Sequence, residues 1–328
     1  MLPSTIPKKH VYALLAGIAL IAFWLGHYSY SYQGPAHSSV IPQAPPPATP
    51  TTHDSKPDPE PKTRPLTSQQ FPLKIWQSWK DDAEDPTNRT VGFPRQWRVV
   101  NPTWRYERIT DANNVIYVRD RFDPATYELF KSLDDPILKA DFLRYLILHG
   151  EGGVWADIDV YPHQPVYKWI PEAHADYVNL VIGIENDHHK EPIWPNSPYS
   201  VQLCQYTVYA KPGHPALKVL VDQVAADLEK LVKAKQPGEG TTFEEVMSTT
   251  GPFAFTKVMM DYFTNVTGVV HTGNELDGLA EPRLIGDVLV LPKDSFGWLP
   301  QEHTHEKGDD MILVEHLFMG SWREGHPG

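Results

Sequence analysis

The chain has 328 residues, of which 41% are hydrophobic and 21% are charged, and its formal net charge is -12. This composition is typical of a globular protein that is long enough to build a substantial core. The acidic balance argues against a nucleic-acid-binding protein, because such proteins meet phosphates with clusters of lysine and arginine. Cys204 is the single cysteine, which excludes an intrachain disulfide and the cysteine-rich zinc motifs.

The N-terminal segment contains the apolar run VYALLAGIALIAFWLG directly after Lys8, Lys9 and His10. At about 1.5 Å per residue the run spans roughly 24 Å, which suits a thin bilayer. A cleaved signal peptide is the alternative, but tyrosines rather than small residues follow the run. We predict a cytoplasmic tail over residues 1–10 and an uncleaved signal-anchor transmembrane helix over residues 11–27, with the rest of the chain luminal.

The next segment, residues 28–70, is rich in proline, threonine and charge and has little apolar surface to bury. Such a composition predicts an extended, semi-rigid stalk. An anchor, a stalk and a folded domain, here residues 71–328, are the arrangement of a membrane-held luminal enzyme. The sequons at Asn88 and Asn265 are compatible with that location.

Predicted strands alternate with predicted helices from residue 71 onward. The strands are predicted at residues 73–79, 104–110, 154–158, 180–185 and 287–292. The helices are predicted to begin at Pro124 and to cover residues 136–149, 215–235 and 252–263. This alternation predicts an α/β domain with a largely parallel sheet, in which ligands bind at the carboxyl ends of the strands.

Two aspartates, Asp157 and Asp159, interrupt the apolar strand in GGVWADIDVYP. Residues i and i+2 of an extended strand point to the same side, so the two carboxylates are expected to converge. Close carboxylates repel each other unless a cation shares them, and Mg²⁺ or Mn²⁺ accepts such oxygen ligands. A solvated turn or a structural ion pair with a nearby arginine is the alternative for so short a pattern.

A charged pair, Asp141 and Arg144, lies in the otherwise apolar helix PILKADFLRYLILH. Their i, i+3 spacing places both side chains on one face of the helix. A surface salt bridge would explain the pair on its own. The helix leads through Gly152 and Gly153 directly to the two aspartates, however, so the four charged residues together indicate one site.

The segment KADFLRYLILHGEGGVWADIDVYP resembles the signature of glycosyltransferase family 32, in which Lys-x-Asp-x-x-Arg-Tyr leads through Gly-Gly to Asp-x-Asp. Within that family the chain is similar to the fungal initiation-specific alpha-1,6-mannosyltransferases of the Golgi. Four shorter segments extend the resemblance over residues 71–322: FPLKIWQSWK, WRVVNPTWRY, TTGPFAFT and VEHLFMGSW. The chain departs from the family at Trp76, where many relatives have histidine, and at Trp155, where tyrosine is usual.

The resemblance implies a GT-A-type, Rossmann-like fold in a single luminal domain. It assigns Asp157 and Asp159 to the metal and to the diphosphate of a nucleotide sugar. His316 would complete the metal site, and its imidazole would suit Mn²⁺ better than Mg²⁺. Asp141 and Arg144 would hold the hydroxyl groups of the donor sugar.

The resemblance also places Trp76 and Gln77 beside the nucleotide base, with core packing of Trp76 as the alternative. Other histidines have a ligand-like spacing but lie in polar, loop-like sequence, which favours surface loops. They are His188, His189, His303 and His305.

The implied function is that of a single-pass type II Golgi membrane protein that transfers mannose from GDP-mannose to an N-linked glycan on glycoproteins. The resemblance further implies an alpha-1,6 bond, retention of configuration, dependence on Mn²⁺ or Mg²⁺, and a complex with other Golgi mannosyltransferases. Transfer to inositol-phosphoceramide is one alternative. Enzymes of that kind commonly carry a second membrane segment, and no apolar run of about 18 residues follows Gly26.

Two further alternatives come from other classes of protein. A non-catalytic, lectin-like Golgi protein would keep the fold, but decay of the metal ligands would be expected in it, whereas Asp157 and Asp159 are intact. A metal-dependent phosphohydrolase would ordinarily need more clustered histidine and aspartate ligands to hold two metal ions.

Overall fold

The computed structural model describes residues 70–82, 89–187, 199–236, 238–298, 309–320 and 322–326. All of these residues belong to one compact unit. The predicted cytoplasmic tail, the predicted anchor helix and nearly all of the predicted stalk lie outside them, and so do Asn88 and the four histidines with ligand-like spacing. Within the described ranges, no helix has the length and apolar character that a membrane crossing requires.

Ten strands are found in the described part of the chain. They are β1 (Lys74–Trp79), β2 (Arg105–Thr110), β3 (Gly153–Ala156), β4 (Val160–Pro162), β5 (Leu180–Asp187), β6 (Val201–Leu203), β7 (Thr207–Ala210), β8 (Arg283–Ile285), β9 (Val288–Leu291) and β10 (Val314–His316). Five of them, β1, β2, β3, β5 and β9, correspond to predicted strands. The other five are only three or four residues long, too short to show a hydrophobic period.

Eight helices accompany the strands over the same ranges. They are α1 (Arg89–Val100), α2 (Asn114–Arg121), α3 (Pro124–Ser132), α4 (Pro136–Gly150), α5 (Pro215–Ala234), α6 (Phe243–Thr249), α7 (Pro252–Thr267) and α8 (Lys293–Phe296). The predicted starts of α3 and α4 are confirmed, because the Asp123 and Asp135 side chains accept hydrogen bonds from the first backbone amides of these helices.

The central sheet has the order β2-β1-β3-β7-β5-β9-β8, with β6 paired to β5. Its pairings are parallel at β1–β2, β1–β3 and β5–β9 and antiparallel elsewhere among the described strands. The fold is therefore a mixed α/β domain, and the prediction of a largely parallel sheet was wrong. The physical reason is β7, which lies between β3 and β5 and runs antiparallel to both.

Apolar side chains cover both faces of the sheet. Along β3, Trp155 packs into the cluster that includes α4, α5 and α7, while Val154 and Ala156 pack into a second cluster on the opposite face. The lone Cys204 is buried in that second cluster. Because β3 is enclosed on both faces, the first place where its chain can present polar groups is the carboxyl end, at Asp157.

The turn from α4 into β3 depends on glycine. Gly152 has a φ of +63°, and a Cβ atom there would lie 2.6 Å from the Ala210 carbonyl oxygen and 2.7 Å from the Pro212 nitrogen. We expect Gly152→Ala to lower the free energy of unfolding by about 3 kcal/mol, because backbone strain adds to a clash with backbone atoms. Chemical denaturation measures this loss.

Gly278 provides a matched control, since its φ is +66° and no atom lies within 4 Å of its Cβ position. Gly278→Ala should lower the free energy of unfolding by only about 1 kcal/mol, from backbone strain alone. Equal losses in the two variants would show that the close packing of the Gly152 turn contributes nothing.

A polar network around Asp287 ties the turn between β8 and β9 to neighbouring elements. Asn179 Nδ2 and Tyr262 Oη each donate a hydrogen bond of 2.8 Å to the Asp287 carboxylate, and His214 Nε2 lies 3.3 Å from it. Burial acts to raise the pKa of this carboxyl group. His214 and the two hydrogen bonds outweigh burial and lower the pKa of Asp287 to about 2.

This network predicts a loss of stability in acid. The folded-state pKa lies below the ordinary value of 3.8, so ionised Asp287 stabilises the fold above that pH by about 2 kcal/mol, and this contribution disappears as the pH falls towards 2. Asp287→Asn should therefore lower the free energy of unfolding at pH 7 and have a much smaller effect near pH 2. Urea denaturation at both pH values measures the difference, with exposed Asp261→Asn as the control. A loss that is independent of pH would contradict the role given to the charge.

Candidate active site

The helix α4 carries a buried ion pair to the carboxyl end of β3. Arg144 Nη1 donates a 2.6 Å hydrogen bond to Asp141 Oδ1, and the two side chains are only 2% and 1% exposed. Arg144 Nη2 donates to both carboxylate oxygens of Asp157, at 2.8 and 3.1 Å. One guanidinium group thus joins Asp141 on the helix to Asp157 at the strand end. The structure thus brings together residues of α4 and of the β3 end that the sequence analysis had grouped.

Burial and charge act in opposite directions within this group. Burial raises the pKa of Asp141, while the Arg144 guanidinium and the Thr250 hydroxyl, which donates a 2.8 Å hydrogen bond to Asp141 Oδ2, oppose that rise. Burial lowers the pKa of Arg144, but the charges of Asp157 and Asp141 outweigh it and raise the pKa above its ordinary value. Arg144 is therefore a permanent cation that both carboxylates share.

The Asp157 carboxylate also receives a hydrogen bond of 2.7 Å from Trp155 Nε1. Its backbone is fixed from both sides, because its amide donates to the Tyr206 carbonyl at 2.9 Å and its own carbonyl accepts from Gln77 Nε2 at 2.9 Å. Asp157 keeps 28% of its side chain exposed. It is the member of the ion-pair group that a ligand can reach.

The structure places Trp76 and Gln77 behind the site rather than at its surface. The Trp76 ring is 3% exposed and packs in the core, where its Nε1 donates to the Gly152 carbonyl at 2.9 Å. Gln77 is fully buried, and its Oε1 accepts a 2.8 Å hydrogen bond from Tyr106 Oη. Core packing, the alternative interpretation of Trp76, is the one that its burial supports. Gln77 acts on the site through the backbone of Asp157.

Asp159 and His316 meet on the other side of the β3 end. His316 ends β10, which pairs antiparallel with β4 so that His316 lies opposite Val160. As a result His316 Nε2 lies 3.2 Å from Asp159 Oδ1, while Met319 N donates to Asp159 Oδ2 at 3.0 Å. Burial raises the pKa of Asp159, but His316 and the Met319 amide outweigh it, so the net pKa is lowered.

Aromatic rings hold the His316 imidazole in place. Its ring centroid lies 3.9 Å from that of Tyr206 and 4.1 Å from that of Phe318. Phe318 adopts a φ of +47°, unusual for a bulky residue, at the point where the chain turns around Asp159. His316 Nδ1 is buried and has no hydrogen-bond partner among the described residues.

The contacts of Asp157, Asp159 and His316 indicate which of these side chains could bind a divalent metal ion. Asp159 and His316 place a carboxylate and an imidazole side by side, a donor set that suits Mn²⁺. Asp157, the third predicted ligand, is engaged by Arg144, and no group of three or more histidine, cysteine, aspartate or glutamate side chains is arranged around one point in the ranges described. The pair Asp159 and His316 thus fits a metal, and Asp157 stands beside it.

A cleft of about 510 Å³ joins the two halves of the site. Its walls include Asp141, Arg144, Asp157, Asp159 and His316. The cleft also contains polar side chains that the sequence analysis did not assign to the site: Lys80, Lys139, Glu185, Gln202, Gln205 and Arg323. Glu185 lies near the carboxyl end of β5, so the rule that ligands bind at the carboxyl ends of strands could have identified it, as it did Asp157. Gln202 and Gln205 have no comparable sequence signal.

Part of the chain that contains these charged residues matches a known protein family. Residues 87–176 match the family described as "Glycosyltransferase sugar-binding region containing DXD motif". This region of the chain is similar to the sugar-binding region of that glycosyltransferase family. The matched region contains Asp141, Arg144, Asp157 and Asp159, so the family motif and the charged wall of the cleft coincide.

Two curated relatives of the chain are named initiation-specific alpha-1,6-mannosyltransferase. The protein of Schizosaccharomyces pombe is 35% identical over 77% of this chain and 64% of its own length. That of Candida albicans is 29% identical over 78% of this chain and 73% of its own length. The chain therefore spans a little under two thirds of the first relative. A solved structure, PaToxG glycosyltransferase, aligns at a TM-score of 0.37 and 13% identity over 60% of this chain and 72% of that one, a likeness too low to bear on function.

Proposed function

We propose that the chain is a mannosyltransferase that moves mannose from GDP-mannose to an N-linked glycan, forming an alpha-1,6 bond with retention of configuration. The observation that carries the proposal is the Arg144 guanidinium, which Asp141 and Asp157 share at the wall of a cleft that also contains Asp159 and His316. The names of the two relatives support mannose as the sugar and alpha-1,6 as the linkage.

In the proposed reaction, the bond between the anomeric carbon and the diphosphate oxygen breaks, and the nucleoside diphosphate leaves with the bonding electron pair. The hydroxyl oxygen of the acceptor bonds to the anomeric carbon, and its proton passes to the departing diphosphate. Asp141 uses one oxygen for Arg144 and the other for Thr250. Each carboxylate oxygen can accept a second hydrogen bond, so Asp141 retains capacity for a hydroxyl group of the donor sugar.

Charge on the leaving diphosphate needs compensation in this reaction. A divalent cation held by Asp159 and His316 would supply Lewis-acid stabilisation of that charge. Lys80, Lys139 and Arg323 line the same cleft and would attract phosphate oxygens. We further propose a GT-A-type fold and action in the Golgi lumen, with residues 11–27 as the membrane anchor.

Donor and acceptor specificity test the proposal directly. The full chain is incubated with Mn²⁺ and GDP-mannose, GDP-glucose, UDP-glucose or UDP-N-acetylglucosamine, each with and without a high-mannose N-glycan. We expect a mannosylated glycan from GDP-mannose alone, with the linkage assigned by NMR. If product formed only on inositol-phosphoceramide, that lipid and not the N-glycan would be the acceptor. Release of free sugar alone, or no turnover of any donor, would refute the proposal that the chain is a transferase.

A further inference from the structure

Two side chains in the cleft, Glu185 and Gln202, have no part in the proposed mechanism. Glu185 lies on β5 and Gln202 on β6, and Gln202 Nε2 donates a 2.8 Å hydrogen bond to Glu185 Oε2. Both residues line the cleft that contains the ion-pair group. Gln202 is only 3% exposed, and its Oε1 atom is buried without a hydrogen-bond partner in the described ranges.

The contact with Glu185 fixes the orientation of the Gln202 amide. If the amide were reversed, its oxygen would face the carboxylate and two acceptors would meet. The Nε2 group therefore faces Glu185, and Oε1 is the atom left without a partner in the part of the chain that the structure describes. Leaving a buried acceptor without a donor is unfavourable, so a site of this kind favours a ligand that supplies a hydrogen-bond donor.

The backbone that carries Glu185 is closely packed. The pairing of β5 with β6 shifts register between Ile184 and Asn186, and such bulges re-aim side chains next to active sites. A Cβ atom on Gly297 would lie 2.4 Å from the Glu185 carbonyl oxygen, so the chain after α8 packs directly against this part of β5. Close packing thus surrounds the Glu185 backbone at the wall of the cleft.

The chemistry of the pair selects the kind of ligand. The Glu185 carboxylate and the unpaired Gln202 Oε1 atom are both hydrogen-bond acceptors, and a carboxylate repels the oxygens of a diphosphate. Neutral hydroxyl groups donate to both acceptors and carry no opposing charge. Sugars are the ligands rich in such groups, and Asp141 and Arg144 already provide one set of contacts for them in the proposed mechanism.

We propose that Glu185 and Gln202 form a second hydroxyl-binding subsite of the cleft, in which their free acceptor oxygens receive hydrogen bonds from hydroxyl groups of a bound sugar. This inference rests on the proposed transferase function. The sugar is a unit of the acceptor glycan or the mannose of the donor, and the same chemistry would recognise both.

Steady-state kinetics of Glu185→Gln and Gln202→Met in the full chain separate these two sources. Loss of one or two hydrogen bonds predicts a rise of roughly tenfold in one Michaelis constant. A raised KM for the glycan, with unchanged KM for GDP-mannose and unchanged donor hydrolysis without acceptor, assigns the subsite to the acceptor. A raised KM for GDP-mannose together with altered hydrolysis assigns it to the donor.

The matched control is Glu128→Gln, which removes an exposed carboxylate on α3 that does not line the cleft and should leave all constants unchanged. Circular dichroism and thermal melting establish that each variant is folded. If folded Glu185→Gln and Gln202→Met both keep the two KM values within twofold of wild type, the subsite does not exist. A fall in kcat with both KM values unchanged would likewise overturn the subsite.

Failure of the proposed function has a different signature. If the wild-type chain turns over no donor, the transferase proposal falls, and saturation-transfer NMR with methyl α-mannoside and with GDP-mannose then tests the subsite independently. Weaker saturation transfer in both variants than in wild type and Glu128→Gln would support it, and equal transfer in all four proteins would overturn it.

Discussion

Arg144→Ala is expected to reduce mannosyl transfer by at least about 1,000-fold and to lower the free energy of unfolding by about 3–5 kcal/mol. Arg144 is almost fully buried and compensates two carboxylates, one of which, Asp141, is equally buried. Its removal leaves the charge of Asp141 uncompensated and leaves the Asp157 carboxylate held by Trp155 Nε1 without its cationic partner. Radiolabel transfer from GDP-mannose and urea denaturation measure the two effects on the same preparation.

Arg144→Lys separates charge from geometry. An ammonium group keeps the positive charge, but it lacks the planar fork by which Arg144 reaches Asp141 with one nitrogen and Asp157 with the other. We expect stability closer to wild type with transfer still reduced by about 100-fold. Arg119→Ala, which removes an exposed arginine paired with Asp120, should change neither quantity. Transfer within tenfold of wild type in Arg144→Ala would show that the shared guanidinium is not part of the catalytic machinery.

Much of the fold could be predicted from the sequence, because local chemistry marks the ends of its longer elements. Asp135 with Pro136 starts α4, and the glycines after it allow the tight turn into β3. Strand direction has no such local mark. The four residues of β7 pack antiparallel between β3 and β5 through long-range contacts, so the mixed character of the sheet was not foreseeable from periodicity.

The candidate site could likewise be predicted only in part from the sequence. The i, i+3 spacing of Asp141 and Arg144, and the glycine turn that leads from their helix to the two aspartates, were enough to group these four residues. They could not show that the partner of Asp157 is Arg144, because that contact depends on how α4 lies across the end of β3. The structure pairs Asp157 with Arg144 and Asp159 with His316, and the convergence of both carboxylates on one cation stays a prediction.

Asp159→Ala is expected to reduce transfer by at least about 100-fold even at saturating Mn²⁺, and to weaken Mn²⁺ binding. The Asp159 carboxylate has two possible roles, because it contacts His316 Nε2 at 3.2 Å and accepts a hydrogen bond from Met319 N at 3.0 Å. The first contact belongs to the proposed metal site, and the second fixes the turn that contains Phe318. Electron paramagnetic resonance of bound Mn²⁺ reports on the metal independently of activity.

Asp159→Asn distinguishes the two roles of this side chain. An asparagine can still accept a hydrogen bond from Met319 N but lacks the negative charge. If Asp159 is a metal ligand, Asp159→Asn should therefore reduce transfer nearly as much as Asp159→Ala. If Asp159 only positions the turn, Asp159→Asn should show near-normal transfer. His316→Ala should weaken Mn²⁺ binding as well, and its lost transfer should recover in part at higher Mn²⁺ concentration, because Asp159 remains. Wild-type transfer and Mn²⁺ affinity in Asp159→Ala would exclude this side chain as a ligand, and with it the proposal that Asp159 and His316 hold the cation that stabilises the leaving diphosphate.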